Sequence, residues 1–318
     1  EMKFFLGVAS VSAAAVFSGD VMSAFLDFQK TYGKTYSDVE FAKRLEIFAN
    51  NLERANELNA KNILLGGEAV HGVTKFSDMS QEEFKAMYLT YVPENETVKA
   101  PLLELDGPLE AAVDWRTKGA VTPVKDQGQC GSCWAFSATE AIESFAFLKH
   151  GTLKELSPQQ ITSCDKVDSG CNGGWPYRAY AYVKTANGLE SESDYPYTSG
   201  SGQTGTCKYV SSKVVSGTAP NGYTNVAKSE SQLQTALNVG PVSICLAADA
   251  FQTYRGGILQ SCPGSVDHCV QGVGYDTGAN YWIVRNSWGT SWGEQGYIRI
   301  AMGKDLCQIS QYATFPTL

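Results

Sequence analysis

The stretch QGQCGSCWAF, Gln127 to Phe136, sets two cysteines three positions apart, Cys130 and Cys133. Such a pair serves a zinc site, a redox dithiol, or a structural cysteine beside a nucleophilic one. Zinc would need a second close pair of thiolates, and the chain has no other Cys-x-x-Cys. A redox dithiol belongs between strand and helix of a βαβ unit, and Gln127-Gly128-Gln129 continues no strand. The third reading fits better. Trp134-Ala135-Phe136 opens a helical pattern directly after Cys133, where a thiolate would face the positive end of the helix dipole. A cysteine in such a place is more often inert core, so the reading needs a base.

Only three histidines are present. His71 lies in the first 129 residues, a chemically different region that holds no cysteine. His150 ends the helix that Cys133 begins, roughly 25 Å away at the α-helical rise. His268, in SVDHCVQGVGY, remains. A Cys–His pair works by proton transfer, imidazolium and thiolate stabilising each other. The ring needs an orienting partner, and the amide of Asn286 in NYWIVRNSWGTSWG can accept its hydrogen bond, with Trp288 shielding it from water. The Cys133 backbone N–H and the Gln127 side-chain amide would supply an oxyanion hole.

Elements of two kinds must position these groups. A first helix is expected over SAFLDFQKTYGK and a second, capped by Ser37 or Asp38, over VEFAKRLEIFANNLERANELNAK. HGVTKFSD reads as extended, and Ser80 caps a short helix in DMSQEEFKAMYL. VPENETVKAPLLELDGPLE, with Pro93, Pro101 and Pro108, reads as an extended linker that carries the sequon at Asn95. CWAFSATEAIESFAFLKHG is a helix ended by Gly151, and LSPQQITSC one with Ser157 as cap and Pro158 at its first position. PVSICLA, GILQSC, DHCVQGVGYD, NYWIVRNSW and GYIRIAM read as strands. A helix-rich half is thus followed by a strand-rich half, and a cleft between such halves is a common place for a site.

The chain has 318 residues, 43% of them hydrophobic and 18% charged, with a formal net charge of −8. That balance argues against a nucleic-acid partner, which needs a basic surface. Lys3 and the apolar run FFLGVASVSAAAVF read as a secretory signal, too short to span a bilayer, and no other run is long enough to cross a membrane. Secretion makes disulfides plausible, and all nine cysteines follow residue 129, an odd number that leaves at least one unpaired.

QGQCGSCWAF, SVDHCVQGVGY and NSWGTSWGEQGYIRI, with CNGG at 171–174, resemble the active-site segments of the papain-like cysteine peptidases. His268 lies 135 residues after Cys133 (268 − 133) and Asn286 lies 153 after it (286 − 133), a spacing that is part of that family's established signature. The resemblance implies an α+β papain-like two-lobed fold, helix-rich to about residue 217 and β-barrel-like after it, preceded by a helical prosegment. It divides the chain into a signal peptide at 1–19, an inhibitory prosegment at 20–108 and a peptidase domain at 109–318. It makes Cys133 the nucleophile, His268 the acid/base, Asn286 its orienter and Gln127 the oxyanion donor. Glu40, Arg44, Phe48, Asn51, Ala55 and Asn59, followed by Gly72, Phe76 and Asp78, resemble the family's prosegment motif. Ala55 and GVTKFSD are more like the cathepsin F type; Asn59 is not.

The same resemblance implies the bridges Cys130–Cys171, Cys164–Cys207 and Cys262–Cys307, leaving Cys133, Cys245 and Cys269 free. It places Trp175, Pro176, Cys245, Val266, Cys269 and Tyr312 around the pocket for the substrate's P2 side chain, an apolar set that favours Leu, Val or Phe over Arg. Gly173, Gly174, Asp267 and Trp288 complete the expected substrate-binding set, the two glycines letting an extended peptide approach the backbone. No metal or other cofactor is implied. The expected partners are protein and peptide substrates, the chain's own prosegment and cystatin-type inhibitors. A monomer in the secretory route, lysosomal, vacuolar or extracellular, is expected, with no membrane partner. With no His-bearing occluding loop, the activity expected is endopeptidase.

Overall fold

The computed structural model describes residues 21–89 and 109–318, with the backbone alone of Leu102–Leu103. The expected signal segment and the Asn95 sequon lie outside the described residues.

Two helices cross at the N-terminus, α1 (Val21–Tyr32) and α2 (Asp38–Leu64). Phe25, Phe28, Phe48 and Leu52 fill their contact, with Phe25 and Phe48 centroids 5.3 Å apart. Ser37 caps α2 by accepting from the Glu40 N–H, and Ser80 caps α3 (Gln81–Tyr88) in a full capping box with Glu83. The polar residues repeated along α2 act as clamps. Arg44 reaches Glu83 at 2.6 Å and donates to the Asp78 carbonyl. Asn51 donates to the carbonyls of Ser77 and Met79. Asn59 donates to the His71 carbonyl and accepts from the N–H of both Val70 and His71. Residues 71–78, expected to be extended, form a bridge at His71, opposite Tyr254, and then turn, the Asn51 and Arg44 side chains satisfying carbonyls of the turn.

The second region is organised around α4 (Cys133–His150), buried along most of its length and ended by Gly151 in the left-handed region at φ 75°. Shorter helices α5 (Pro158–Cys164) and α6 (Pro176–Thr185) pack beside it. One sheet takes up the strands: β1 (Leu102–Leu103), β2 (Ala112–Asp114), β3 (Gly222–Val226), β4 (Val242–Leu246), β5 (Ile258–Leu259), β6 (His268–Asp276), β7 (Tyr281–Arg285), β8 (Tyr297–Ala301) and β9 (Tyr312–Thr317). Its order is β1-β3-β9-β4-β6-β7-β8-β5, with β2 paired to β6. Helix α7 (Glu230–Val239) leads into β4. The nine-residue β6 is buried in all but its last position and binds β4, β7 and β2. At Gly274 a Cβ would meet the Val113 carbonyl oxygen at 2.0 Å, so only glycine admits β2 there.

Two hydrogen bonds near its start join α4 to the sheet, and a third joins α6 to the same Ser243. Ser137 Oγ donates to the Val270 carbonyl at 2.7 Å, Ser243 Oγ donates to the Ser137 carbonyl at 2.9 Å, and the Tyr180 and Ser243 hydroxyls lie 2.7 Å apart. They fix the start of α4 against the starts of β6 and β4.

Candidate active site

Cys133 is the first residue of α4 and His268 the first of β6. Asn286 follows β7, whose antiparallel pairing sets Arg285 opposite Gln271 and so carries Asn286 towards His268. His268 Nε2 and Asn286 Oδ1 are 2.8 Å apart. An amide oxygen only accepts, so Nε2 carries the proton and Nδ1 is the basic nitrogen. Nδ1 is buried and without a hydrogen-bond partner among the described residues. The Trp288 ring stacks on His268 with centroids 4.7 Å apart and planes 26° from parallel. Cys133 Sγ accepts from the Cys269 N–H at 3.5 Å.

Gln127 is held on both sides of its amide. Its Oε1 accepts from Ser287 Oγ at 2.7 Å, and its Nε2 donates to the Cys130 carbonyl at 2.9 Å. Ser287 thereby fixes which end of the amide faces the loop before Cys133. Sequence reasoning missed this residue; its signal was only its place beside Asn286. The loop is anchored by Gln127 N–H to the Ser287 carbonyl and by the Cys130–Cys171 bridge.

Burial dominates the electrostatics. It pushes the Cys133 thiol up to about 12, although the N–H groups of Cys269 and Trp134 oppose it. It pushes His268 down to about 4, against the bond to Asn286. Burial also raises Asp267, whose carboxylate accepts from the Ala248 N–H, to about 7. Burial thus disfavours the charged form of both thiol and imidazole in this state.

Trp175, Cys245, Val266 and Cys269 are buried in one apolar cluster with Cys133, and Tyr312 packs against it, its ring 5.5 Å from that of Trp175. Pro176 is the buried first residue of α6. Lys228 lies over the Tyr312 ring at 4.8 Å. Gly173 adopts φ 111°, a conformation that favours glycine. Gly174 has a packing reason instead: a Cβ would meet Trp134 at 2.6 Å.

The cysteines require a correction. The bridges Cys130–Cys171, Cys164–Cys207 and Cys262–Cys307 are present, but Cys245 and Cys269, expected to be free, form a fourth. They sit directly opposite each other on β4 and β6, a register that sequence alone does not supply. Cys133 is the one free cysteine.

Residues 109–317 match the papain family cysteine protease domain, and residues 25–84 match the cathepsin propeptide inhibitor domain. The chain belongs to the papain family of cysteine proteases. It is 42% identical to digestive cysteine proteinase 1 of Homarus americanus over 92% of this chain and 94% of that one. It is 41% identical to cysteine proteinase 2 of Leishmania pifanoi, over 96% of this chain and 72% of the relative. The structure of digestive procathepsin L 3 from Tenebrio molitor larval midgut superposes with a TM-score of 0.82 at 36% identity, over 94% of this chain and 99% of that one. This member of the papain family is therefore a cysteine peptidase with its inhibitory propeptide attached, in the mixed α+β fold of the procathepsins. The propeptide grips the wall of the site: Phe76, Phe84 and Tyr88 meet Trp288 edge-on, with centroids 5.2, 5.4 and 5.9 Å away. Lys75 Nζ donates to the Trp288 carbonyl at 2.7 Å and pairs with Asp126 at 2.8 Å. No described helix is long and apolar enough to cross a membrane.

Proposed function

We propose that this peptidase is an endopeptidase in which Cys133 is the nucleophile and His268 the general acid and base. The observation that carries the reading is the His268–Asn286 bond under Trp288, which leaves a buried, unpartnered Nδ1 in the segment whose next amide donates to Cys133 Sγ. Once the propeptide leaves and water and substrate enter, burial no longer disfavours their charged forms, and the proton passes from Cys133 to His268. The thiolate attacks the scissile carbonyl carbon. The Cys133 N–H and the second Nε2 hydrogen of Gln127 receive the oxyanion. His268 gives its proton to the leaving amine, then takes one from the water that hydrolyses the thioester.

The P2 side chain enters among Trp175, Pro176, Val266, Tyr312 and the Cys245–Cys269 pair, with Gly173 and Gly174 along the substrate backbone and Asp267 and Trp288 flanking His268. The apolar lining favours Leu, Val or Phe, and the charge of Lys228 beside Tyr312 opposes Arg. The chain works as a monomer, is open to cystatin-type inhibitors, and enters the secretory route by residues 1–19, towards lysosome, vacuole or cell exterior. Processing removes 20–108 and frees 109–318. Acidifying the precursor under mild reduction should yield cleavage of a Leu-Arg or Phe-Arg amide substrate and none in Cys133→Ala; activity surviving in that variant defeats the assignment, and Arg preferred at P2 in a peptide library defeats the pocket.

A further inference from the structure

The Cys245–Cys269 bridge was not foreseen from the sequence, and its position decides what it can do. Cys269 follows His268 directly and is the residue whose N–H donates to Cys133 Sγ at 3.5 Å. Its partner stands opposite on β4, next to Leu246, which pairs with His268 itself. Cys245 also pairs with Tyr312 on β9. Both sulfurs are buried in the cluster that holds Cys133, Trp175 and Val266.

Strand ends are where sheets open first. His268 is the first residue of β6, and the approach to it over 263–265 is exposed. The ring that must receive a proton thus stands at the end of its strand, bonded to Asn286 and stacked on Trp288. Around it the polypeptide is tied down by the Asp267 N–H to the Leu246 carbonyl and the Ala248 N–H to the Asp267 carboxylate. A covalent tie one residue further on pins the strand between His268 and the amide that meets Cys133 Sγ.

We propose that the Cys245–Cys269 bridge is a positioning device for the hydrolytic step, holding the His268 ring and the Cys269 amide in register with Cys133. This rests on the reading of Cys133 as the nucleophile. Two paired variants test it without adding thiols: Cys245→Ala/Cys269→Ala, and Cys245→Val/Cys269→Ala, which retains more buried volume. In both, kcat should fall roughly ten- to a hundredfold. KM should change less, and the fall in kcat should persist for a substrate with Gly at P2, which leaves empty the pocket that the pair lines. The pH profile for alkylation of Cys133 should shift as well, which lost packing alone would not produce. A bridge that serves only to fill space predicts that the Val/Ala pair recovers wild-type kcat and alkylation profile; that result, or wild-type rates in both variants, overturns the proposal.

Should neither variant fold, wild-type enzyme is titrated with a water-soluble phosphine. The phosphine is oxidised to its oxide with oxygen from water, and the S–S bond takes up two electrons and two protons to give two thiols. Peptide mapping identifies the opened bridge. Activity unchanged with Cys245 and Cys269 reduced overturns the proposal; activity falling in step with their reduction supports it. Failure of the underlying reading looks different, as cleavage by Cys133→Ala whatever the state of the bridge.

Discussion

The amide of Gln127 illustrates how one side chain depends on the next. Its Oε1 is taken by Ser287 and one Nε2 hydrogen by the Cys130 carbonyl, so its remaining hydrogen has a fixed direction. Gln127→Ala should lower kcat by roughly 10²–10³ with little change in KM. Ser287→Ala frees the amide to rotate and should cost less, on the order of tenfold; steady-state kinetics on one amide substrate compares the two, and equal losses would show that orientation by Ser287 is the whole effect. At the pocket, Tyr312→Glu should raise the Arg-to-Leu ratio at P2. Lys228 already lies against position 312 and would neutralise much of the new charge. The double change Tyr312→Glu/Lys228→Gln should therefore accept Arg better than Tyr312→Glu alone, read as a ratio of kcat/KM values.

At the scale of elements, α2 is an inhibitor's backbone whose inward polar residues replace the missing strand pairing of the segment after it. Asn51→Ala removes two hydrogen bonds within the propeptide, to the Ser77 and Met79 carbonyls, and should destabilise by roughly 2 kcal/mol the segment that presents Phe76 to Trp288. The lag before activity appears would shorten, and an unchanged lag would mean that the segment is held elsewhere. Much of this level was legible in the sequence. Ser37, Ser80, Ser157 and Gly151 all mark helix ends by capping chemistry, and the five expected strands are present. Helices α6 and α7 and strands β2, β3 and β9 were not anticipated. Tertiary packing rather than local pattern fixes them. The candidate site was legible because Cys133, His268, Asn286 and Gln127 each sit in a distinctive local sequence. Ser287 and the fourth bridge were not, since both depend on which residues face each other across strands and loops.

For the molecule as a whole, the junction of propeptide and peptidase carries a group that titrates in the acidic range. His71 is buried there, with Nδ1 3.0 Å from Thr253 Oγ1 and Nε2 unpartnered among the described residues. Burial first, and then the charge of Arg54, lower it from 6.5 to about 4. The docked form thus resists protonation while a released propeptide accepts it. This contribution to docking is complete above about pH 6.5 and is lost as the pH falls from there towards 4, to the extent of about 3 kcal/mol. His71→Gln keeps a polar contact to Thr253 without the proton and should flatten the rise in processing rate between those two values; a profile identical to wild type would remove His71 from the process.

The state of Cys133 in the precursor also bears on its durability. In an oxidising compartment a surface thiolate is open to sulfenic acid formation and mixed disulfides. Here the one free thiol of the chain has no accessible surface and a strongly raised pKa, while the eight other cysteines are already paired. The precursor is thus a storage form in the chemical sense: it keeps its only oxidisable thiol out of contact with oxidant until the moment of release.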